Sequence, residues 1–85
     1  MEALINEIVV LDVESPFVYI GRLAAVSDKT VTLEDADVHD LRDSETTRER
    51  YILDSRIHGV GANRQRVMVR LEQVVSLSAL QDVVE

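Results

Sequence analysis

The chain has 85 residues with sixteen acids, nine bases and no cysteine, which excludes disulfide scaffolds, thiolate metal centres and cysteine nucleophiles. Its net charge of −7 is the opposite of the basic balance common to nucleic-acid binders, and no DNA partner is expected. A chain this short buries only about 60–65% of its unfolded surface, so association with further subunits is the expected supplement to its own core.

Residues 1–45 hold eleven acids and three bases, whereas 46–85 hold five acids and six arginines. The acidic half reads as a solvated face, and the second half leaves room for a local anion site. The acidic start, broken at Asn6 and Glu7, does not read as a secretory leader, and no apolar run is long enough for a bilayer. The cytoplasm is the expected location, with no membrane partner.

Ile5 to Val13 is short and rich in β-branched residues, which predicts a strand. Glu14-Ser15-Pro16 turns the chain. Phe17 to Val26 is apolar on both alternating faces, as in a strand that faces a barrel core on one side and is covered on the other. Gly21 in its middle predicts a sharp bend or a close backbone approach. After the Ser27-Asp28-Lys29 turn, Thr30 to Leu33 alternates with Val31 and Leu33 inward. The apolar parity then passes to Ala36 and Val38, which predicts a bulge near Glu34-Asp35.

Asp43 to His58 predicts a helix capped by Asp43 or Ser44 and ended at Gly59, with Tyr51, Ile52 and Ile57 as its apolar stripe. A strand through Tyr51-Ile52-Leu53 is the alternative. Arg64 to Leu71 alternates cleanly, with Val67, Val69 and Leu71 on one face and Arg64, Arg66, Met68 and Arg70 on the other. Glu72-Gln73 forms a turn, Val74 to Leu77 a last strand, and Ser78 to Val84 a short tail helix.

Two constellations could carry chemistry. Arg64, Arg66 and Arg70 share a strand face and could track phosphates or form salt bridges with the many acids. Asp35, Asp37 and His39 alternate beside Asp40 and could hold a divalent ion, although a solvated acidic loop is the plainer reading. No nucleophile–base pair and no phosphate-cradling loop is recognisable. No catalytic residue, metal site or cofactor is therefore assigned, and the chain is not expected to be an enzyme.

Gly21-Arg22-Leu23-Ala24-Ala25-Val26-Ser27, followed by Thr30-Val31-Thr32-Leu33-Glu34-Asp35, resembles the first Sm motif. That motif runs Gly-x-Leu-x-x-(apolar)-Asp, then Asn, then apolar-x-Leu. Val69-Arg70-Leu71-Glu72-Gln73-Val74-Val75-Ser76-Leu77 is similar to the second, Ile-Arg-Gly-x-x-(Ile/Val)-x-x-Ile. The resemblance implies a mainly β fold: a small five-stranded, strongly bent Sm-like (SH3-like) barrel, one domain over residues 1–85. A helical or irregular insertion at about 37–65 would separate strands three and four.

It also implies a ring of about five to seven identical subunits, the fourth strand of one joined to the fifth of the next. The interface would involve Val67, Val69, Val74, Val75 and Leu77. The motif loops would meet at the pore and bind single-stranded RNA, here through Asp28, Lys29, Thr30 and Arg70. Arg70 is a full match to the motif. Thr30 is the nearest residue to its Asn, Leu71 stands at its Gly, and Ser27 at its Asp. A ring that binds a protein and no RNA is the alternative.

Overall fold

The computed structural model describes residues 1–85. Five strands run in chain order: β1 (Ile8–Val13), β2 (Phe17–Val26), β3 (Thr30–Asp40), β4 (Arg64–Arg70) and β5 (Val74–Ala79). One helix, α1 (Arg48–His58), lies between β3 and β4. The strands form one antiparallel sheet in the order β4-β3-β2-β1-β5, the mainly β architecture that the sequence predicts. β4 and β5 end the sheet, so each has one side without a strand partner.

The first strand starts later than expected. Asn6 has φ 74°, a left-handed conformation that short polar side chains tolerate. It therefore breaks the extended run ahead of Ile8. Glu2–Leu4 is a 3-10 turn whose Leu4 packs against the barrel interior.

Sheet curvature comes from two register shifts between β2 and β3. Ile20 pairs with Asp37 and Arg22 with Glu34, so β3 carries one extra residue there; further on, β2 carries one between Leu23 and Ala25. The bulge residue on β3 is Asp35, at φ 50°, where the apolar parity of the sequence changes. Gly21 lies opposite, and a Cβ built on it would stand 2.9 Å from both Cα and Cβ of Ala36. At this strand crossing any Cβ would force a backbone shift.

Alternation sorts the side chains into two cores. Val9, Leu11, Leu23, Val31, Leu33 and Val69 are among those filling the concave face. Val10, Val18 and Ile20 point the other way and are covered by Ile52 of α1 and Leu80 of the tail. Thus β1 and β2 are buried on both faces, as the apolar reading of Phe17 to Val26 requires. Each fully buried Val, Leu or Ile contributes about 1.5–3 kcal/mol.

The connection between β3 and β4 is shorter than the expected 37–65, because β3 continues past its bulge to Asp40. Leu41–Asp43 forms a 3-10 turn capped by the Asp40 carboxylate, which accepts from Arg42 N. That turn and the extended Ser44 displace the expected helix start. The cap of α1 is Thr47, whose hydroxyl accepts from Arg50 N at 3.1 Å. Gly59, at φ 96°, ends the helix as expected, its N–H donating to Ser55 O at 2.9 Å.

Ile52 is buried and Ile57 is half exposed, so the apolar stripe is narrower than expected. Arg48 fastens the helix start to the β1–β2 hairpin. Its guanidinium donates to Asp12 Oδ1 at 3.3 Å, Phe17 O at 3.1 Å and Ser15 O at 3.0 Å.

The tail differs from the expected helix over Ser78 to Val84. β5 runs on to Ala79, which pairs with Val9 and is buried. Only a single 3-10 turn, Leu80–Asp82, follows. No helix is long and apolar enough to cross a membrane.

Candidate functional site

The β2–β3 turn is built by one side chain. Ser27 Oγ accepts from Lys29 N at 3.2 Å and Thr30 N at 3.0 Å, and lies 2.9 Å from Thr30 Oγ1. Ser27 N also donates to Thr30 O at 2.9 Å. A hydroxyl that binds its neighbours' backbone in this way fixes a tight turn. Ser27, where the motif has Asp, thus shapes the loop that displays Asp28 and Lys29.

The register of β3 on β4 places Thr30 opposite Arg70. Beyond β4 the chain enters the 3-10 turn Leu71–Gln73, and Leu71 N donates to Lys29 O at 2.8 Å. The two loops, forty residues apart in the chain by the Thr30–Arg70 pairing, therefore share one wall. Asp28, Lys29, Thr30, Arg70, Leu71 and Glu72 line a cleft of about 510 Å³. All four residues expected to contact RNA lie on it.

The cleft is electrically balanced. Lys29 and Arg70 face Asp28 and Glu72, and the Arg70 guanidinium meets Glu72 Oε1 at 2.6 Å. Both partners of that pair are largely exposed (74% and 62%), so solvent screens it and its strength is modest. An incoming phosphate would compete with Glu72 for Arg70. No aromatic residue lines the cleft. Phe17 and Tyr19 pack against the barrel core with ring centroids 6.4 Å apart, and Tyr51 lies on α1. A base at this cleft could stack only on the Arg70 guanidinium.

The other arginines of that face are differently placed. Arg66 donates to Glu34 Oε2 at 3.2 and 2.9 Å, and Arg22 donates to Glu34 Oε1 at 2.8 Å. Hydrogen bonds from Arg66 and then Arg22 hold the Glu34 carboxyl below its ordinary pKa. Arg64 donates only to the Asn63 carbonyl, at 3.0 Å. The three arginines lie on one strand face, but Arg66 is already neutralised.

Asp35, Asp37 and His39 do not converge, because the bulge at Asp35 breaks the alternation that would align them. Asp35 is exposed and Asp37 is buried. The Asp37 carboxylate accepts from the Tyr51 hydroxyl and from Asn63 Nδ2. His39 stacks on the Tyr51 ring at 4.0 Å and 4°, with Nε2 3.1 Å from Ser44 Oγ. Burial, then the hydrogen bond to Asp37, pushes the Tyr51 hydroxyl well above the ordinary tyrosine range. This cluster is the polar seam that seats α1 on the barrel, and sequence reasoning missed it. The available signal was the pairing of an inward Asp with the helix's one tyrosine. Asp40, beside the seam, is held down to about 2 by the Arg42 guanidinium.

The residues expected at a subunit interface divide by burial. Val69 is in the barrel core. Val67, Val74 and Leu77 are half-buried against it, and Val75 is 64% exposed. Leu71, Val74, Val75 and Leu77 line an apolar groove of about 380 Å³ along β5 with Met1 and Leu4.

No family model matches the chain, and no curated protein matches it. Among solved structures it is similar to the Pyrococcus abyssii Sm protein, a structure determined in complex with a uridine heptamer. The identity is 17% and the TM-score 0.62, over 92% of this chain and 89% of that one. Strand order, the bend at Gly21 and this likeness together establish that the chain has the Sm-like fold.

Proposed function

We propose that the chain, a single domain over residues 1–85, is a non-catalytic ring-forming subunit that takes single-stranded RNA at the Asp28-Lys29-Thr30/Arg70 cleft. The observation that carries this reading is the fusion of the two motif loops, through the Thr30–Arg70 register and the Leu71–Lys29 bond. Arg70 and Lys29 supply cations for phosphate, and the Arg70 plane a surface for a base. The Asp28 carboxylate and Thr30 hydroxyl offer hydrogen-bonding groups to base edges. The uridine heptamer bound by the Pyrococcus protein supports the ligand class.

Assembly follows from the open sides of β4 and β5. Unpaired strand edges recruit another strand, and joining two different edges of identical chains gives a ring when the rotation closes. Val67, Val74, Val75 and Leu77 would pack across the join, with Val69 contributing backbone. In this reading about five to seven copies assemble in the cytoplasm, without metal or cofactor.

A second reading, a ring that binds a protein and no RNA, is favoured by the net charge of −7 and by Glu72 occupying Arg70. Titrating labelled oligo-U and oligo-A at low and high salt separates the two. Saturable binding that both salt and Arg70→Ala weaken supports RNA; no binding at micromolar protein in low salt removes it.

A further inference from the structure

The cleft carries its own anion. Arg70 ends β4, and Glu72 follows in the 3-10 turn Leu71–Gln73. The contact between Glu72 Oε1 and the Arg70 guanidinium is the one ion pair that either residue makes. The turn that presents Glu72 is pinned on both sides. Leu71 N donates to Lys29 O at 2.8 Å, and Gln73 O accepts from Glu14 N at 3.0 Å. Arg70 is likewise fixed by its register opposite Thr30. Both ends of the pair thus stand on held backbone, and side-chain rotation is what parts them. Lys29, the other base lining the cleft, is in no ion pair.

We infer that Glu72 sets the affinity of this cleft: its carboxylate is a built-in competitor that holds Arg70 and must swing away before a phosphate of the strand can take that guanidinium. The inference rests on the RNA reading above and adds how the site is kept in check. Carboxylate and phosphate offer a guanidinium the same kind of acceptor oxygens, so the two compete for the same N–H groups. A competitor tethered two residues away acts at a high effective concentration, which a free anion in solution does not reach. Once displaced, Glu72 stands as an unpaired carboxylate close to a bound phosphate, and that like-charge proximity opposes binding further. The exposure of both partners keeps the pair weak enough to open. Glu72 therefore lowers affinity without closing the cleft. A displaced Glu72 also gathers a cation from solution, which offsets part of the cation release that RNA binding produces. The salt dependence of the wild-type chain should be shallower for that reason.

The test is a double-mutant cycle read by titration of labelled oligo-U. Glu72→Gln removes the charge at nearly constant shape, and at an exposed position it leaves no buried group unpaired. Glu45→Gln, exposed and outside the cleft, makes the same change in net charge and serves as the control. Melting curves of every variant verify folding. Glu72→Gln is expected to bind roughly two- to five-fold more tightly per site than Glu45→Gln, the range of an exposed ion pair. Its log–log salt slope should be steeper by up to about one. In an Arg70→Ala background the same substitution should gain nothing over Glu45→Gln, because the group it competes for is gone. Two results would overturn the competitor and leave the RNA reading intact: Glu72→Gln no tighter than Glu45→Gln, or an equal gain with and without Arg70. Failure of wild type and Glu72→Gln alike to bind at micromolar protein in low salt would overturn both. Binding by Glu72→Gln where wild type shows none would support both.

Discussion

Replacing Gly21 by alanine places a Cβ 2.9 Å from the Cα and Cβ of Ala36 and 3.2 Å from the Glu34 carbonyl oxygen. A rotamer change cannot move a backbone carbon out of the way, so a strand must shift. Neither strand is free to do so. Gly21 pairs with Val9 on one side, and Glu34 and Ala36 are held by Arg66 and Arg64 on the other. Overpacking of this kind costs about 1–3 kcal/mol. Stiffening of the unfolded chain returns up to about 1 kcal/mol, leaving a net loss of roughly 1–2 kcal/mol. For a domain of this size that lowers Tm by roughly 5–15 °C. Urea unfolding at one fixed protein concentration is the appropriate assay, because any association of copies would add a mass-action contribution to stability. The midpoint should fall with the slope unchanged. Adding Ala36→Gly removes the clash with the methyl carbon but leaves the one with the backbone carbon, so the pair should recover part of the loss and deviate from additivity. A Gly21→Ala protein that unfolds at the wild-type midpoint would refute the steric argument.

Three further outcomes are expected. Arg48→Ala removes three hydrogen bonds between α1 and the β1–β2 hairpin and should cost about 1.5–3 kcal/mol, with faster amide exchange in α1. Tyr51→Phe leaves the buried Asp37 carboxylate with Asn63 alone and should cost about 1–3 kcal/mol in thermal unfolding. Because the folded pKa of Tyr51 is raised, the unfolded chain loses that proton first. Wild-type stability should therefore fall as pH climbs past about 10, the unfolded tyrosine value, and Tyr51→Phe should lack that share of the decline. Arg70→Ala should melt like wild type, since the side chain is 74% exposed. It should weaken oligo-U binding and reduce the log–log salt slope by about one.

Much of the sheet was legible because alternation is a local signal. Phe17 to Val26 is β2 from end to end, and the parity change after Glu34 marks the Asp35 bulge. Gly21 advertised a close approach, although only the folded chain names Ala36 as the residue it meets. The cleft residues were legible through the motif resemblance, since nothing in the local pattern brings Lys29 and Arg70 together; the β3–β4 register does that. Local reasoning failed where a distant partner decides the conformation. Ser44 has a good cap side chain, but its hydroxyl meets the His39 ring and the cap passes to Thr47. Asp35 and Asp37 would share a face in a regular strand, but the bulge turns one to solvent and the other beneath Tyr51. Ser78 and Ala79 have no strong strand preference and are extended because β1 lies beside them.

The seating of α1 on the side of the sheet where Val10, Val18 and Ile20 of β1 and β2 meet Ile52 gives the molecule two dissimilar sides. Copies joined flank to flank would all carry their helices on the same side. Such a particle would have a polarity inherited from a single loop, and changes to the outward residues of that loop could alter what the helix-bearing side recognises without disturbing how the copies hold one another.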